Sequence, residues 1–501
     1  MTRQRGRRVR ATWTVALLTV TVAPIGLLVD VPATGGAIGV MVDATGIAAT
    51  STLLGALVLS ARLRSLTTTM GLEHVGCSHR YLGSLGAVET AAHIGLAVAS
   101  RAGGMALLNP LTATDAAVAA EVATAGLLVL TASSPLRRRG HETWRRVHLA
   151  ATVAVLAGVA LHILWLDHLI RDGMLGAWFG GAAVALALVL GYRWLWRPAR
   201  GSSAYTVRDV RHDADTVSTL VLSPRRGRHR EGPRTLEFAP GQFAWLRLSR
   251  LGGEEHPYSM SGSARGADTL EFTVRHTGDF TDRLANLQPG RTVYLDGPHG
   301  AFTPSADAPG LVMIASGVGM TPILSILRTL ADEQDRRSHR LIVAAGRPDQ
   351  LLFSQEIEAL RARIQLEVVT TVRASAPDWQ GRTGLVDGPL LSAFLPGRPV
   401  RDRLLYFVCG PPLLVADALS ALHILRVPQS QIRTERFDPN TRPGGRREQH
   451  SRTGPTHRTA GGSGSDTGGD PGGALRVGDA ASADVDDAGN ERADVGGDEA
   501  P

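Results

Sequence analysis

The sequence predicts a multidomain chain: a six-helix transmembrane bundle, then a domain of short β-strands, then an α/β domain around a parallel sheet. Three observations carry this reading. The 501 residues are 44% hydrophobic overall, but apolar stretches dominate up to Arg197 and ordinary globular composition follows Arg200. Past residue 200, short β-branched and aromatic runs are separated by Gly and Pro. From Gly310 onward strands alternate with helical stretches, as parallel sheets with crossover helices require.

The expected spans lie at about 12–31, 37–60, 80–100, 115–134, 147–169 and 175–196, each near the ~20 residues a spanning helix needs. The basic start and apolar run of the first also fit a signal peptide. No small-residue cleavage site stands out and five spans follow, so it is read as a retained helix. Arginines orient the bundle. Arg3, Arg5, Arg7, Arg8 and Arg10 precede the first span, Arg62, Arg64 and Arg80 bracket the second loop, and Arg137, Arg138, Arg139, Arg145 and Arg146 fill the fourth. Arg193, Arg197 and Arg200 follow the sixth, while loops 31–36, 101–114 and 167–173 carry far fewer positive charges. The positive-inside rule places both termini in the cytoplasm of a multi-pass cell-membrane protein. Spans three and five then run in the same direction.

Those two spans hold four histidines. His79 and His93 stand 14 residues apart, and His148 and His162 repeat the interval. At about 100° per residue, 14 positions return to within roughly 40° of the starting face, about 21 Å along the axis. A lone histidine in an apolar helix is most often a hydrogen-bonded structural residue. Two pairs of identical spacing in parallel spans point instead to ligands for two haem groups, His79 with His148 near the cytoplasmic face and His93 with His162 near the outer one.

The net charge of +7 comes largely from these arginines and from basic loops such as 225–234. Topology explains them better than nucleic acid does. The two cysteines, Cys77 and Cys409, are too few for a four-thiolate cluster, so no iron–sulfur cluster and no disulfide framework is expected.

In the soluble half, strands are expected at 205–210, 216–222, 243–247 and 270–275, then at 311–315, 341–345, 366–371 and 404–408. Helices are expected at 321–330, 355–363 and 413–422. Between the strand at 311–315 and its helix lies Gly317-Val318-Gly319-Met320-Thr321-Pro322. Its glycines allow tight turning and close approach to a phosphate, the helix offers its positive N-terminus, and Pro322 wastes no donor there. Alone this turn is a weak signal. Cys409-Gly410-Pro411-Pro412 repeats it at the end of a later strand, so two turns would flank one carboxyl-edge crevice.

With His256-Pro257-Tyr258-Ser259 between the early strands, and Gly278-Asp279-Phe280-Thr281 after them, residues 10–437 resemble the ferric reductase and NADPH oxidase superfamily. In that family a haem-bearing six-helix domain is fused to a ferredoxin-reductase-like flavoprotein. The resemblance implies domains at 12–198 (haem), 203–305 (an antiparallel β-barrel that binds FAD) and 308–437 (NAD(P)-binding α/β), after a basic N-terminus at 1–11. It implies that His256 and Pro257 open the flavin strand, that Tyr258 packs on the isoalloxazine, and that Ser259 hydrogen-bonds near flavin N5. Many soluble relatives open this motif with arginine, so His256 follows the membrane branch. Thr273, Val274 and Arg275 match the segment beside ribityl and pyrophosphate, and Gly278, Phe280 and Thr281 the next turn. Gly317, Gly319, Thr321, Pro322, Gly410 and Pro411 match the pyridine-nucleotide site, with Cys409 near the nicotinamide. Phe437, in Thr434-Glu435-Arg436-Phe437, matches an aromatic that covers the flavin; Ser259, Cys409 and Phe437 form the implied catalytic set. The tail at 438–501, rich in Gly, Ser, Asp and Pro, is expected to be disordered.

The implied activity is electron transfer from cytoplasmic NAD(P)H through FAD and two b-type haems to an extracytoplasmic acceptor. Ferric complexes, oxygen, a quinone or a redox protein stay open. Oxygen-reducing relatives carry an extra polar cluster beside the outer haem, and Ala97, four residues after His93, departs from it. The alternative is a membrane-anchored NAD(P)H:flavin reductase serving a cytoplasmic acceptor protein; a third reading is a non-enzymatic redox-sensing or assembly subunit. Arg347, in Gly346-Arg347-Pro348-Asp349, is placed to meet a 2′-phosphate, with Arg373 near, while Asp349 argues for a ribose hydroxyl. The balance leans towards NADPH.

Overall fold

The computed structural model describes residues 36–100, 104–109, 114–134, 141–166, 173–193, 203–225, 236–250, 253–265 and 268–436, with a few isolated positions besides. Most of the expected first span, Phe437 and the tail lie outside the described residues. Among those described, five helices are long and apolar enough to cross a membrane. They are α1 (Gly36–Ser60), α3 (Leu72–Ala99), α4 (Asp115–Ala132), α5 (His141–Trp165) and α6 (Gly173–Gly191). A short helix not anticipated from sequence, α2 (Arg64–Met70), joins α1 to α3. Helix α3 starts at Leu72 rather than near residue 80, so Arg80 sits inside it and not in a loop. Hydropathy misses that first stretch because Glu73, His74, His79 and Arg80 interrupt it.

Small residues let the bundle close. A Cβ on Gly86 would meet Leu53 at 2.7 Å, and one on Gly158 would meet the Ala119 carbonyl at 2.7 Å. Helix α1 thus packs on α3, and α4 on α5, at close backbone approach. Large apolar side chains point outward instead: Val88, Leu128, Val153 and Leu188 are each more than half exposed. Such faces suit a lipid surrounding and not water.

The first soluble sheet is antiparallel and six-stranded, from β1 (Ser203–Ala214), β2 (Val217–Pro224), β3 (Phe243–Arg247), β4 (Glu255–Ser259), β5 (Leu270–Arg275) and β6 (Thr292–His299). Its order is β4-β3-β6-β1-β2-β5. Met260, just past edge strand β4, bridges to Phe272 of the opposite edge strand β5, so the two edges meet there. Inward residues Tyr205, Leu220, Leu246, Phe272 and Leu295 form its core. One short helix, α7 (Asp279–Ala285), lies between β5 and β6.

The second sheet is parallel, ordered β10-β9-β8-β7-β11-β12. Its strands are β7 (Leu311–Ser316), β8 (His339–Ala345), β9 (Leu366–Val372), β10 (Arg382–Thr383), β11 (Leu405–Gly410) and β12 (Ile432–Arg436). Helices α8 (Met320–Asp332) and α9 (Ser354–Arg361) cover one face, α10 (Gly388–Phe394) and α11 (Pro412–Ile424) the other. Alternate strand residues serve the two cores: Leu311, Met313 and Ala315 one, Val312 and Ile314 the other. Each fully buried Leu, Ile or Phe contributes about 1.5–3 kcal/mol. Strand order reverses at β7, between β8 and β11, so the crevice of this sheet opens over the carboxyl ends of β7 and β11.

Candidate functional site

In the bundle, the structure sets α3 beside α5 so that the histidines meet in two layers. The ring centres of His79 and His148 lie 6.4 Å apart, and those of His93 and His162 lie 6.2 Å apart. His79 Nδ1 is 2.8 Å from the Ala56 carbonyl, His93 Nδ1 is 2.9 Å from that of Val42, and His162 Nδ1 is 2.7 Å from that of Ala116. A carbonyl oxygen only accepts, so each Nδ1 carries the proton and each Nε2 keeps a free lone pair. That is how a metal-ligating imidazole is oriented. His148 differs: its Nδ1 is buried with no hydrogen-bond partner, and its ring lies 5.0 Å from that of Trp144, one turn earlier.

A metal centred between two imidazole nitrogens at about 2 Å each, with roughly 1 Å more to each ring centre, separates the centres by about 6 Å. Both layers match. No group of three or more His, Cys, Asp or Glu side chains is placed to hold a metal among the described residues, so each layer offers an ion two protein ligands. A bare zinc ion takes four; a haem needs only axial ligands from the protein. A cavity bounded by His93, His162, Gly46, Thr50, Thr90 and Thr124 adjoins the second layer. A Cβ on Gly46 would lie 3.0 Å from the His93 ring, so any side chain there would press on that ring.

Sequence reasoning passed over three acids in the spans. Asp43 lines the same cavity. Glu89 and Glu121 each bury one carboxyl oxygen with no hydrogen-bond partner. Their signal was available, since carboxylates inside apolar spans are costly.

In the antiparallel sheet, β4 presents His256, Pro257, Tyr258 and Ser259 against β3. The Tyr258 ring lies parallel to that of Phe280, 6.4 Å between centres at 7°, and His256 approaches Phe280 at 4.5 Å. Burial, and then the nearby Glu254 charge, raise the Tyr258 phenol above its ordinary range, so it stays neutral. Ser259 is buried. Thr273 is buried too, bonded to Thr219 at 2.7 Å and to Ser261 at 3.1 Å. Val274 belongs to the sheet core, so it offers a ligand only its main chain. Thr281 caps its own turn, its hydroxyl accepting from Thr277 and Gly278 amides and donating to the Gly278 carbonyl. Arg275 crosses to the other sheet, where a Cβ on Gly317 would meet its Nη2 at 2.8 Å.

At the carboxyl ends of β7 and β11 the two glycine turns pack directly together. A Cβ on Gly319 would lie 2.3 Å from the Cys409 carbonyl oxygen. Gly317 holds φ at +54°, a conformation glycine adopts freely. Thr321, in the first turn of α8, is 1% exposed and its hydroxyl has no hydrogen-bond partner. Such an orphan at the sheet's switch point fits a bound nucleotide. Pro322 follows it, and Pro411 precedes α11 beside Gly410. Cys409 is fully buried; burial foremost, then Glu435 and Glu73, push its thiol well up, so it is a protonated thiol and not a thiolate. Glu435 is raised to about 8 by burial and then by Glu73. Arg347 and Asp349 are paired, Nε at 3.1 Å and Nη2 at 2.9 Å, on an exposed turn. Both features the sequence set in opposition there are thus occupied with each other.

Among the described residues, five helices long and apolar enough to cross a membrane precede an antiparallel sheet and a parallel sheet with a crevice at its switch point, the layout of a membrane domain joined to a nucleotide-binding module. Comparison with known proteins agrees. Residues 45–159 match the family model "ferric reductase like transmembrane component", and residues 313–419 match "oxidoreductase NAD-binding domain". The soluble half is 31% identical over 240 residues to ferredoxin–NADP reductase B of Sorangium cellulosum, spanning 45% of this chain and 97% of that protein. It is 30% identical to the ferredoxin reductase component of 3-ketosteroid-9-alpha-monooxygenase from Mycobacterium tuberculosis, spanning 46% of this chain and 64% of that one. The flavohem-like FAD/NAD-binding domain of nitric oxide dioxygenase from Vibrio cholerae aligns over 48% of this chain and all of that domain, at 24% identity and a TM-score of 0.41.

The chain belongs to the ferric reductase and NADPH oxidase superfamily, in which a ferric reductase-like transmembrane domain is joined to a ferredoxin-reductase-type module. It is a membrane oxidoreductase that uses NAD(P)H, with a flavin-type reductase module.

Proposed function

We propose that the chain carries electrons across the membrane, from cytoplasmic NAD(P)H through FAD and two b-type haems to an extracytoplasmic acceptor. The observation that carries this reading is the pair of imidazole layers, each spaced for one metal and with three of four Nε2 atoms freed by Nδ1 donation. When bound, FAD would take a hydride's electron pair and release single electrons, and the haems would relay them. The chain's own contribution is binding and exclusion. His79 with His148, and His93 with His162, would hold the two haems about 21 Å apart along the helices. Tyr258 and Ser259 would seat the flavin ring, with Phe280 stacked against Tyr258 and His256 packed against Phe280. Gly317, Gly319 and Thr321 would receive the nucleotide, and the protonated Cys409 would fill the wall beside its nicotinamide. Phe437 is assigned the role of an aromatic cover. Arginines flanking the spans support a cytoplasmic flavin module. Ferric complexes, oxygen, a quinone or a redox protein all suit a haem edge as acceptors.

A second reading draws on the relatives, which are named as ferredoxin reductases. In it the chain is a membrane-anchored flavin reductase feeding a cytoplasmic protein, and the histidines are structural. Purified protein expressed with ample haem separates the two. Two haems per chain, reduced on adding NAD(P)H, support transmembrane transfer; a flavoprotein without a Soret band overturns it.

A further inference from the structure

Glu255 opens β4, one residue before the His256–Ser259 run, and its side chain is only 11% exposed. Guanidinium groups from three elements converge on it. Arg62, in the loop between α1 and α2, pairs with Oε1. Arg193, just past α6, reaches the same oxygen at 3.3 Å. Arg247 of β3 approaches Oε2 at 3.6 Å. Arg62 also stacks 3.5 Å from the centre of the Trp245 ring. Its φ of 56° is left-handed, a conformation that persists only where surrounding contacts hold it. One carboxylate therefore ties the loop after α1 and the end of the last spanning helix to the strand that leads into the flavin motif. Nearby, Arg64 pairs with Asp296 at 3.2 Å and the Thr67 hydroxyl meets His299 Nδ1 at 2.8 Å. Both lie on α2, which runs directly into the helix bearing His79.

We propose that Glu255 is a positioning residue that seats the flavin strand against the bundle, at the end where His79 meets His148, and thereby sets the rate of flavin-to-haem electron transfer. The proposal rests on the electron path above. Without this carboxylate, the loop after α1 and the end of α6 lose the acceptor they share with β3, and three sheltered like charges crowd one place with less opposing charge, which favours separation of sheet and bundle. Flavin binding and hydride uptake draw on other residues, so they proceed.

The test uses the full-length protein in lipid nanodiscs, as wild type, Glu255→Gln and Glu255→Asp. Flavin absorbance and the Soret band are followed anaerobically after mixing with NADPH, alongside NADPH:dye reduction. Glu255→Gln should slow haem reduction by about tenfold or more, as misplacement of reacting groups does. Its flavin and dye reduction should stay within about twofold of wild type, which also reports a folded module. Glu255→Asp, which keeps the charge, should recover part of the loss. Haem reduction at the wild-type rate in Glu255→Gln overturns the proposal, as does a parallel fall in flavin reduction. A wild type that holds haem but does not reduce it with NADPH brings down the electron path itself, a result distinct from either.

Discussion

In one histidine layer both rings, His93 and His162, donate from Nδ1 to main-chain carbonyls of Val42 and Ala116. In the other, only His79 does so, to Ala56, while His148 rests against Trp144. The acceptors lie on α1 and α4, helices that carry no ligand themselves. The His93 layer is therefore fixed by the packing of four helices, and the His79 layer depends in part on what it binds. Ring orientation in a membrane site is thus a property of neighbours, and substitutions on α1 and α4 should reach the His93 layer more readily.

The largest effect expected is on haem content. His93→Ala or His162→Ala should lower it from about two to about one per chain, with flavin reduction by NAD(P)H preserved, because the two imidazoles of a layer would hold one haem together. Haem quantitation alongside flavin spectra checks this; loss of both haems would mean that the layers are not independent. Next comes Gly46→Val, which pushes side-chain atoms into the His93 ring, whose nearest atoms lie 3.0 Å from even a bare Cβ. Overpacking of this kind costs about 1–3 kcal/mol, and the loss should fall on the His93 layer alone. Equal loss from both layers would break the comparison.

In the soluble half, Gly319→Val should raise the KM for nucleotide roughly ten- to hundredfold, since the turn must shift away from the Cys409 carbonyl. An unchanged KM in steady-state dye reduction would contradict the assignment. Glu435 gives a pH effect of definite sign. Its carboxyl is raised from 4.5 to about 8 in the folded chain. The folded state therefore holds a proton that the unfolded state releases between those values, so stability is full below the lower value and declines as pH rises to the upper one. Glu435→Gln should flatten that decline in thermal melts of the full chain; an unaltered slope would count against it. The smallest effect belongs to Arg347→Ala. Because an exposed pair with Asp349 already engages the guanidinium, loss of NADPH preference should be about tenfold at most. Equal use of NADH by both proteins would remove Arg347 from the 2′-phosphate site.

Much of this was legible because it is local or periodic. The turns at Gly317 and Cys409 announce themselves through residues that the backbone needs there, and the histidine interval reads directly as one helical face. What stayed hidden depends on residues distant in sequence. Glu73 of α3 accepts from the Arg436 amide, and Glu255 gathers Arg62 and Arg193; no window of sequence joins these. Helix α2 was missed because Arg64–Met70 is short and includes three threonines, poor helix formers that tertiary contacts hold in place. Among the described residues, hydropathy located five apolar helices but not the start of α3, whose first turns are too polar to be seen as part of one.

The central claim is that four histidines hold two haems that NAD(P)H reduces through the flavin module. Its most direct test is the anaerobic absorbance spectrum of the purified full-length protein before and after NAD(P)H, with haem counted per chain. The account predicts a low-spin b-type spectrum, about two haems per chain, and a Soret shift on adding NAD(P)H. A haem-free protein that still reduces dyes with NAD(P)H would contradict it.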